Sequence, residues 1–133
     1  MKIIGFNFNK LNVEKTSDKF EDLKINTNIN LVNVKQIKSE IFQPKEEIIE
    51  VEFSYVIDYS PNIANISLSG TVLVMADAKT TKEFMKQWKK KKLPEEHRIL
   101  IFNVILKKSN LKAMQLEDEI NLPLHIPLPS VKE

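Results

Sequence analysis

The sequence contains no cysteine, only two glycines and a single arginine, Arg98, among its 133 residues. Without cysteine the chain cannot form a disulfide framework, a thiolate nucleophile or a cysteine-ligated zinc site. Gly5 and Gly70 are too few and too far apart to build a phosphate-binding loop or a dinucleotide-binding turn. A single arginine also disfavours recognition of phosphate groups through paired guanidinium bonds.

Long apolar runs are missing as well. The longest covers residues 99–106 and is interrupted by Asn103, whereas a membrane-spanning helix needs about 20 apolar residues. The N-terminal residues alternate and then turn polar, and they lack the apolar core and cleavage site of a signal peptide. We therefore expect a cytoplasmic protein with no membrane-spanning segment.

The overall composition is that of one globular domain. Hydrophobic residues make up 42% and charged residues 29% of the chain, and 20 basic residues against 18 acidic ones leave a net charge of +2. Such a small charge does not indicate a nucleic-acid partner. The length fits a single domain over residues 1–133.

Alternation of apolar and polar residues predicts a four-stranded, mostly antiparallel sheet over residues 1–76. Its clearest part is a hairpin. Apolar or aromatic residues occupy the odd positions of 49–59, and after a turn signal at 60–62 apolar residues fall on even positions of 66–74. Two alternating runs around a Pro-Asn turn are typical of paired antiparallel strands.

Two earlier strands are predicted by weaker alternation over residues 4–13 and 25–34. In the second of these the apolar residues change parity after Leu31, which predicts a β-bulge or a strong local twist there. The charged residues 14–24 are predicted to form a loop, and Pro44 with the three charged residues that follow it marks another connection.

The second half of the chain predicts two helices. Residues 79–92 have the pattern of a helix whose Phe84 and Trp88 face inward, and Thr80 and Glu83 have the spacing of a capping box. Pro94, followed by two acidic residues, fits the first turn of a second helix.

Residues 99–106 are rich in β-branched residues and fit either a buried strand or a helix. The apolar pattern continues to Leu116 without glycine or proline, so we favour a long helix from 94 to about 117. Three prolines then predict an extended tail. The fold class is therefore α+β, with a four-stranded sheet followed by two C-terminal helices and a proline-containing tail.

No arrangement of side chains indicates catalysis, and we expect a protein that is not an enzyme and has no cofactor or metal. His97 and His125 lack metal-ligand spacing, and we expect them on a helix surface and in the tail. No nucleophile elbow is present. The acids Glu50, Glu52 and Asp58 share one strand face, which we interpret as the solvent face of the sheet.

Seven lysines around Trp88 form a local basic cluster, which allows a weaker alternative function in nucleic-acid binding. We favour a solvated helix face, because acidic residues dilute the cluster. The lysines are Lys79, Lys82, Lys86, Lys89, Lys90, Lys91 and Lys92.

The supply of apolar side chains exceeds what one sheet face can use. The strands offer several aromatic residues, and the side chains of a helix over 99–106 cannot all point toward the sheet. We therefore expect part of this surface to need another partner, either a second subunit or a bound chain; the alternative is that the domain buries all of it by itself.

The order of elements resembles the SecB-type chaperones, and residues 120–127, Ile-Asn-Leu-Pro-Leu-His-Ile-Pro, are similar to the segment that follows the long helix of that family. The resemblance implies a homotetramer, built as a dimer of dimers, that holds non-native polypeptides in apolar grooves without ATP or metal. By residue type it points to seven candidates for peptide binding or the oligomer interface: Phe53, Tyr55, Tyr59, Trp88, Ile101, Phe102 and Ile105.

Two features depart from that family. Its typical bacterial members are acidic, whereas this chain carries +2 and a lysine-rich helix. The proline-aromatic motif that opens the family's long helix is absent, since residues 93–98 read Leu-Pro-Glu-Glu-His-Arg. These differences disfavour docking to an export motor and favour a specific client, such as an antitoxin, or a general holding role. The alternative from the residues alone is an interaction module for one dedicated folded partner.

Overall fold

The α+β class predicted from the sequence is confirmed. A computed structural model describes residues 1–37 and 46–132 of the chain. Four antiparallel strands form one sheet in the order β1-β4-β3-β2, followed by two helices and an extended tail. The elements are β1 (Lys2–Lys15), β2 (Lys24–Ile37), β3 (Glu46–Ser60), β4 (Ala64–Asp77), α1 (Ala78–Trp88) and α2 (Glu95–Glu119).

The predicted hairpin is confirmed as β3 and β4. Their register runs without a shift from Glu46 opposite Asp77 to Tyr59 opposite Ala64, and the turn contains a cis bond between Ser60 and Pro61. Glu46 and Glu47 belong to β3 and not to a connection, while the other two residues of that predicted connection, 44 and 45, lie outside the described residues.

The two outer strands carry the irregularities. The bulge predicted near Leu31 is confirmed, since the register of β2 shifts between Leu31 and Asn33. The sequence did not predict two register shifts in β1, after Ile3 and after Phe8. The predicted loop is shorter than 14–24, because β1 continues to Lys15 and β2 begins at Lys24.

One face of the sheet is buried under the helices. Phe6, Phe8 and Phe53 meet on this face, and the rings of Phe6 and Phe53 stack with centroids 5.3 Å apart. Gly70 lies beneath them, and any Cβ there would overlap the carbonyl oxygen of Asn7 on β1. The glycine thus permits the close approach of β1 to β4 at this point.

Helix α1 begins differently from the prediction. Its N-cap is Asp77, whose carboxylate accepts a hydrogen bond from the Thr80 backbone N–H at 2.7 Å, so the predicted capping box of Thr80 and Glu83 is wrong. That hydrogen bond lowers the pKa of Asp77. The helix also ends earlier than predicted, at Trp88, but Phe84 and Trp88 face inward as predicted.

Residues 99–106 are helical, which confirms the preferred interpretation. They lie in α2, which extends from Glu95 to Glu119 with Pro94 at its N-cap. One residue in four faces the sheet and is buried along this helix: Ile101, Ile105, Ser109, Ala113 and Glu117. Among residues 1–37 and 46–132, no helix is long and apolar enough to span a membrane.

Candidate functional site

The helices leave part of the edge strand β2 uncovered. Helix α2 makes its main sheet contacts with β4, whereas the shorter α1 contacts β2, β3 and β4. Between β2 and the start of α2 lies an open groove of about 920 Å³. We call it the β2 groove. Its lining comes from β2 residues 29–32, the end of α1, the α1–α2 connection and the first turns of α2.

Half of the fourteen residues that line the β2 groove are apolar. Ile29 and Leu31 point from β2 toward the helices and are only half-buried. The bulge that follows leaves Val32 55% exposed, and on the opposite wall Ile99 is 64% exposed. Trp88, 8% exposed, also belongs to the lining. An apolar surface of this kind on a folded chain is typical of a binding site.

The rim of the β2 groove carries mainly positive charge. Three cationic side chains, Lys91, Lys92 and Arg98, line it together with one acid, Glu95. Lys91 has a left-handed backbone, with φ 59°, and its ammonium nitrogen lies 4.7 Å from the centroid of the Trp88 ring. This cation–π contact holds one of the charges beside the groove.

The groove runs beside a free strand edge. Within the described part of the chain, β2 pairs only with β3, so its other edge has no strand neighbour. An unpaired edge presents backbone donors and acceptors to an extended chain. Together with the apolar groove, it can accept a polypeptide segment through main-chain hydrogen bonds and side-chain burial.

The opposite edge of the sheet has a smaller depression of about 440 Å³, which we call the β1 depression. It lies between β1 and the middle of α2 and contains Phe6, Phe8, Leu11 and Leu111 among its lining residues. Leu11 is 49% and Leu111 54% exposed. Both sheet edges therefore carry partly exposed apolar side chains.

The C-terminal half of α2 contrasts with the β2 groove, because buried polar contacts close it. Glu117 has no exposed surface, and its carboxylate accepts hydrogen bonds from the Tyr59 hydroxyl and, at 3.1 Å, from the His125 backbone N–H. The ring Nδ1 of His125 lies 2.9 Å from Glu117 Oε1, and its Nε2 lies 3.0 Å from the Tyr55 hydroxyl. Tyr55 also donates to Asn110 Oδ1 at 2.5 Å. We call these five residues the tail lock, since they fasten the tail to α2 and β3.

Burial in the tail lock keeps both tyrosines protonated. Desolvation raises the pKa of the Tyr55 hydroxyl far above its usual range, and the negative charge of Glu117 adds to the effect. The pKa of Tyr59 is raised by desolvation and by its hydrogen bond to Glu117. Both groups are therefore hydrogen-bonding structural residues, and neither is set up as an acid or base near neutral pH.

The seven residues that the family resemblance singled out fall into two groups in the structure, one in the β2 groove and one in the core. Trp88 and Phe102 line the β2 groove, and their role in peptide binding stays a prediction. The other five are at most 1% exposed and form the core between the sheet and α2: Phe53, Tyr55, Tyr59, Ile101 and Ile105.

Several groove residues were not chosen from the sequence. Ile29, Leu31 and Ile99 are ordinary aliphatic residues whose exposure depends on how the helices lie over the sheet. The change of parity after Leu31 was the sequence feature that marked this region, because the groove opens at the bulge that it predicts. A pattern in the sequence also pointed to Glu117 of the tail lock, because the buried positions of α2 recur every four residues from Ile101 to Glu117.

The lysines of the basic cluster are exposed, whereas both histidines pack against other side chains. The α1 lysines and those of the connection are exposed, but Trp88 is directed inward and offers no open face for base stacking. His97 is half-buried and stacks on Phe84 with ring centroids 5.5 Å apart. His125 lies in the tail as predicted, but its burial in the tail lock was not predicted.

Comparison with known proteins supports the fold. No family model and no curated protein matches the sequence. Among solved structures, the chain is similar to the Mycobacterium tuberculosis Rv1957 SecB-like chaperone in complex with a ChAD peptide from the Rv1956 HigA1 antitoxin. The match covers 99% of this chain and 91% of that chain, with a TM-score of 0.56 and 10% sequence identity. The chain thus has the fold of a SecB-like chaperone.

Proposed function

We propose that this protein is a SecB-like holding chaperone that binds non-native polypeptides in the β2 groove without ATP. The observation that carries the proposal is an open groove with apolar side chains in half of its lining, beside a strand edge that has no strand neighbour among the described residues. Burial of apolar client side chains supplies the driving force, and the β2 edge adds backbone hydrogen bonds. Neither contribution requires a catalytic step, a metal or a cofactor.

The fold comparison supports a polypeptide partner. The Mycobacterium tuberculosis protein that shares the fold was solved with a peptide from another protein. In the present chain the groove is about 920 Å³, which is large enough for several client side chains. Val32 and Ile99 both line it and both have exposed apolar surface that a bound segment can cover.

The test is suppression of aggregation of chemically unfolded proteins of unrelated sequence, measured by light scattering. We expect the wild-type protein to suppress aggregation at near-stoichiometric amounts, and Ile99→Asp to lose most of this effect. Leu128→Asp is the matched control, because Leu128 is 56% exposed but lies outside the β2 groove. Equal suppression by wild type and Ile99→Asp would place client binding elsewhere.

We also propose self-association into a homotetramer through surfaces that include the β1 depression. Exposed Leu11 and Leu111 support this, because a second copy would remove them from water. Light scattering should give a mass near four times 15.4 kDa at low and high salt. Leu111→Asp should lower that mass while Leu128→Asp leaves it unchanged; a monomeric wild-type protein would contradict the proposal.

The second candidate is an interaction module for one dedicated partner. It is favoured by the defined shape of the groove, which a folded protein with a single projecting segment would also fill. The aggregation assay separates the two candidates. A holding chaperone suppresses aggregation of several unrelated clients, whereas a dedicated module suppresses none of them.

A further inference from the structure

We propose that the β2 groove selects extended segments in which acidic side chains flank apolar ones. This inference rests on the proposed function and adds the chemistry of the client. It comes from the charges on the groove rim and from how they are held.

The rim charges are unbalanced. Lys91, Lys92 and Arg98 oppose only Glu95, which leaves the groove with an excess of two positive charges. Within residues 1–37 and 46–132, none of the three cations forms an ion pair. They are solvent-exposed, so a client carboxylate can reach them without breaking an ion pair of the described residues.

The backbone that carries two of the cations is held beside the groove. The backbone N–H groups of Lys91 and Lys92 donate to the carbonyls of Trp88 at 2.8 Å and Gln87 at 3.2 Å, which holds the connection against the end of α1. Across the groove, Arg98 lies one residue before Ile99 on α2. A client that buries apolar side chains on the floor therefore places its neighbouring residues close to the cations.

Arg98 adds geometric preference to the charge. It is the only arginine of the chain, and a guanidinium can bind a carboxylate through two parallel hydrogen bonds. A client lysine at the same place would be repelled by three cations. The groove therefore discriminates by repulsion as well as by attraction.

The experiment uses Trp88, the only tryptophan of the chain, as a fluorescence reporter at the groove. Three synthetic peptides without tryptophan share one apolar core and carry acidic, neutral or lysine flanks. We expect the acidic peptide to bind about threefold to tenfold more tightly than the neutral one, as a few exposed ion pairs allow. The lysine peptide should bind most weakly, and added salt should reduce the differences.

Charge reversal at the rim provides the decisive variant. Lys92→Glu combined with Arg98→Glu should invert the order of the three peptides. Lys91 is left unchanged because it contacts the reporter ring. The matched control is Lys10→Glu with Lys24→Glu, two exposed lysines outside the groove, and it should keep the wild-type order.

The outcomes separate the two proposals. Equal binding of all three peptides would overturn the acidic preference and leave the holding function standing. Failure of every peptide to bind would overturn both. A random single-stranded oligonucleotide that displaces the acidic peptide at equal or lower concentration would also overturn the inference, because the rim would then recognise polyanions in general.

Discussion

The two ends of α2 differ although the same helix lies over the same sheet. At its C-terminal end the tail returns over the sheet, and the tail lock joins Glu117 and His125 to β3. At its N-terminal end the inner face of β2 remains open and forms the β2 groove. One end is thus covered by the chain itself, and at the other end apolar surface stays exposed.

The difference shows which polar and apolar groups are structural. A buried carboxylate such as Glu117 is tolerated because several donors surround it, so the closed end stabilises the fold. Exposed Val32 and Ile99 contribute little to the stability of the isolated chain. Substitutions at the closed end should therefore change stability, and those at the open end should change binding.

The largest loss of stability is expected at Ile101. Ile99, two residues earlier on the same helix, provides the contrast because it is exposed. Ile101 is fully buried against the sheet, so Ile101→Ala should lower the free energy of unfolding by about 3–4 kcal/mol. Ile99→Ala, at the open groove, should change it by less than about 0.5 kcal/mol. Urea denaturation measures both. Equal losses would mean that Ile99 is a core residue and that the groove is closed in solution.

A smaller loss is expected from opening the tail lock. Glu117→Ala removes the acceptor of the His125 backbone N–H and one of the two acceptors of the Tyr59 hydroxyl, which keeps the Pro123 carbonyl at 2.8 Å. It should cost about 2–3 kcal/mol of unfolding free energy. The control is Glu119→Ala, an exposed acid on the last turn of the same helix, which should cost less than about 0.5 kcal/mol. If the two variants unfold at the same urea concentration, the lock does not stabilise the fold.

The tail lock also predicts how stability depends on alkaline pH. The pKa values of Tyr55 and Tyr59 are raised in the folded state, so their stabilising effect is complete below the unfolded pKa of about 10 and is lost as the pH rises above it. Each tyrosine should remove about 1.4 kcal/mol per pH unit in that range. Acidic conditions should not affect this contribution.

Phenolate absorbance can follow these two groups alone, because the chain has only two tyrosines. In the folded protein both should titrate well above pH 10, and in urea both should titrate near it. Tyr55→Phe should leave a single titrating group that still resists deprotonation. Ordinary titration in the folded protein would show that the closed end is open to water.

Much of the fold could be predicted from the sequence because local patterns determine it. The alternation in β3 and β4, with a turn signal between them, fixes a hairpin without reference to any other element. The bulge after Leu31 follows from a change of parity within one strand. The predicted cap of α1 was wrong because Asp77 and Thr80 are both good capping residues. Which of them caps the helix depends on where β4 ends.

The candidate site was less predictable, because it depends on how distant elements lie over one another. Apolar character selected Tyr55 and Ile101, but apolar residues fill both cores and grooves. Ile99 and Ile101 are identical in type but lie on opposite sides of α2, and which side faces the sheet depends on how the helix lies over it. The tail lock needs Glu117 and His125 to meet across a chain reversal, which periodicity alone does not show.

Hydrogen–deuterium exchange with and without an unfolded client tests the central claim most directly. If the open end of the molecule is the binding site, client binding should slow amide exchange in β2 residues 29–32 and in the first turns of α2. Exchange near Glu117 and His125 should stay unchanged. Protection confined to β1 and Leu111, or no protection at any amide at saturating client, would contradict the account.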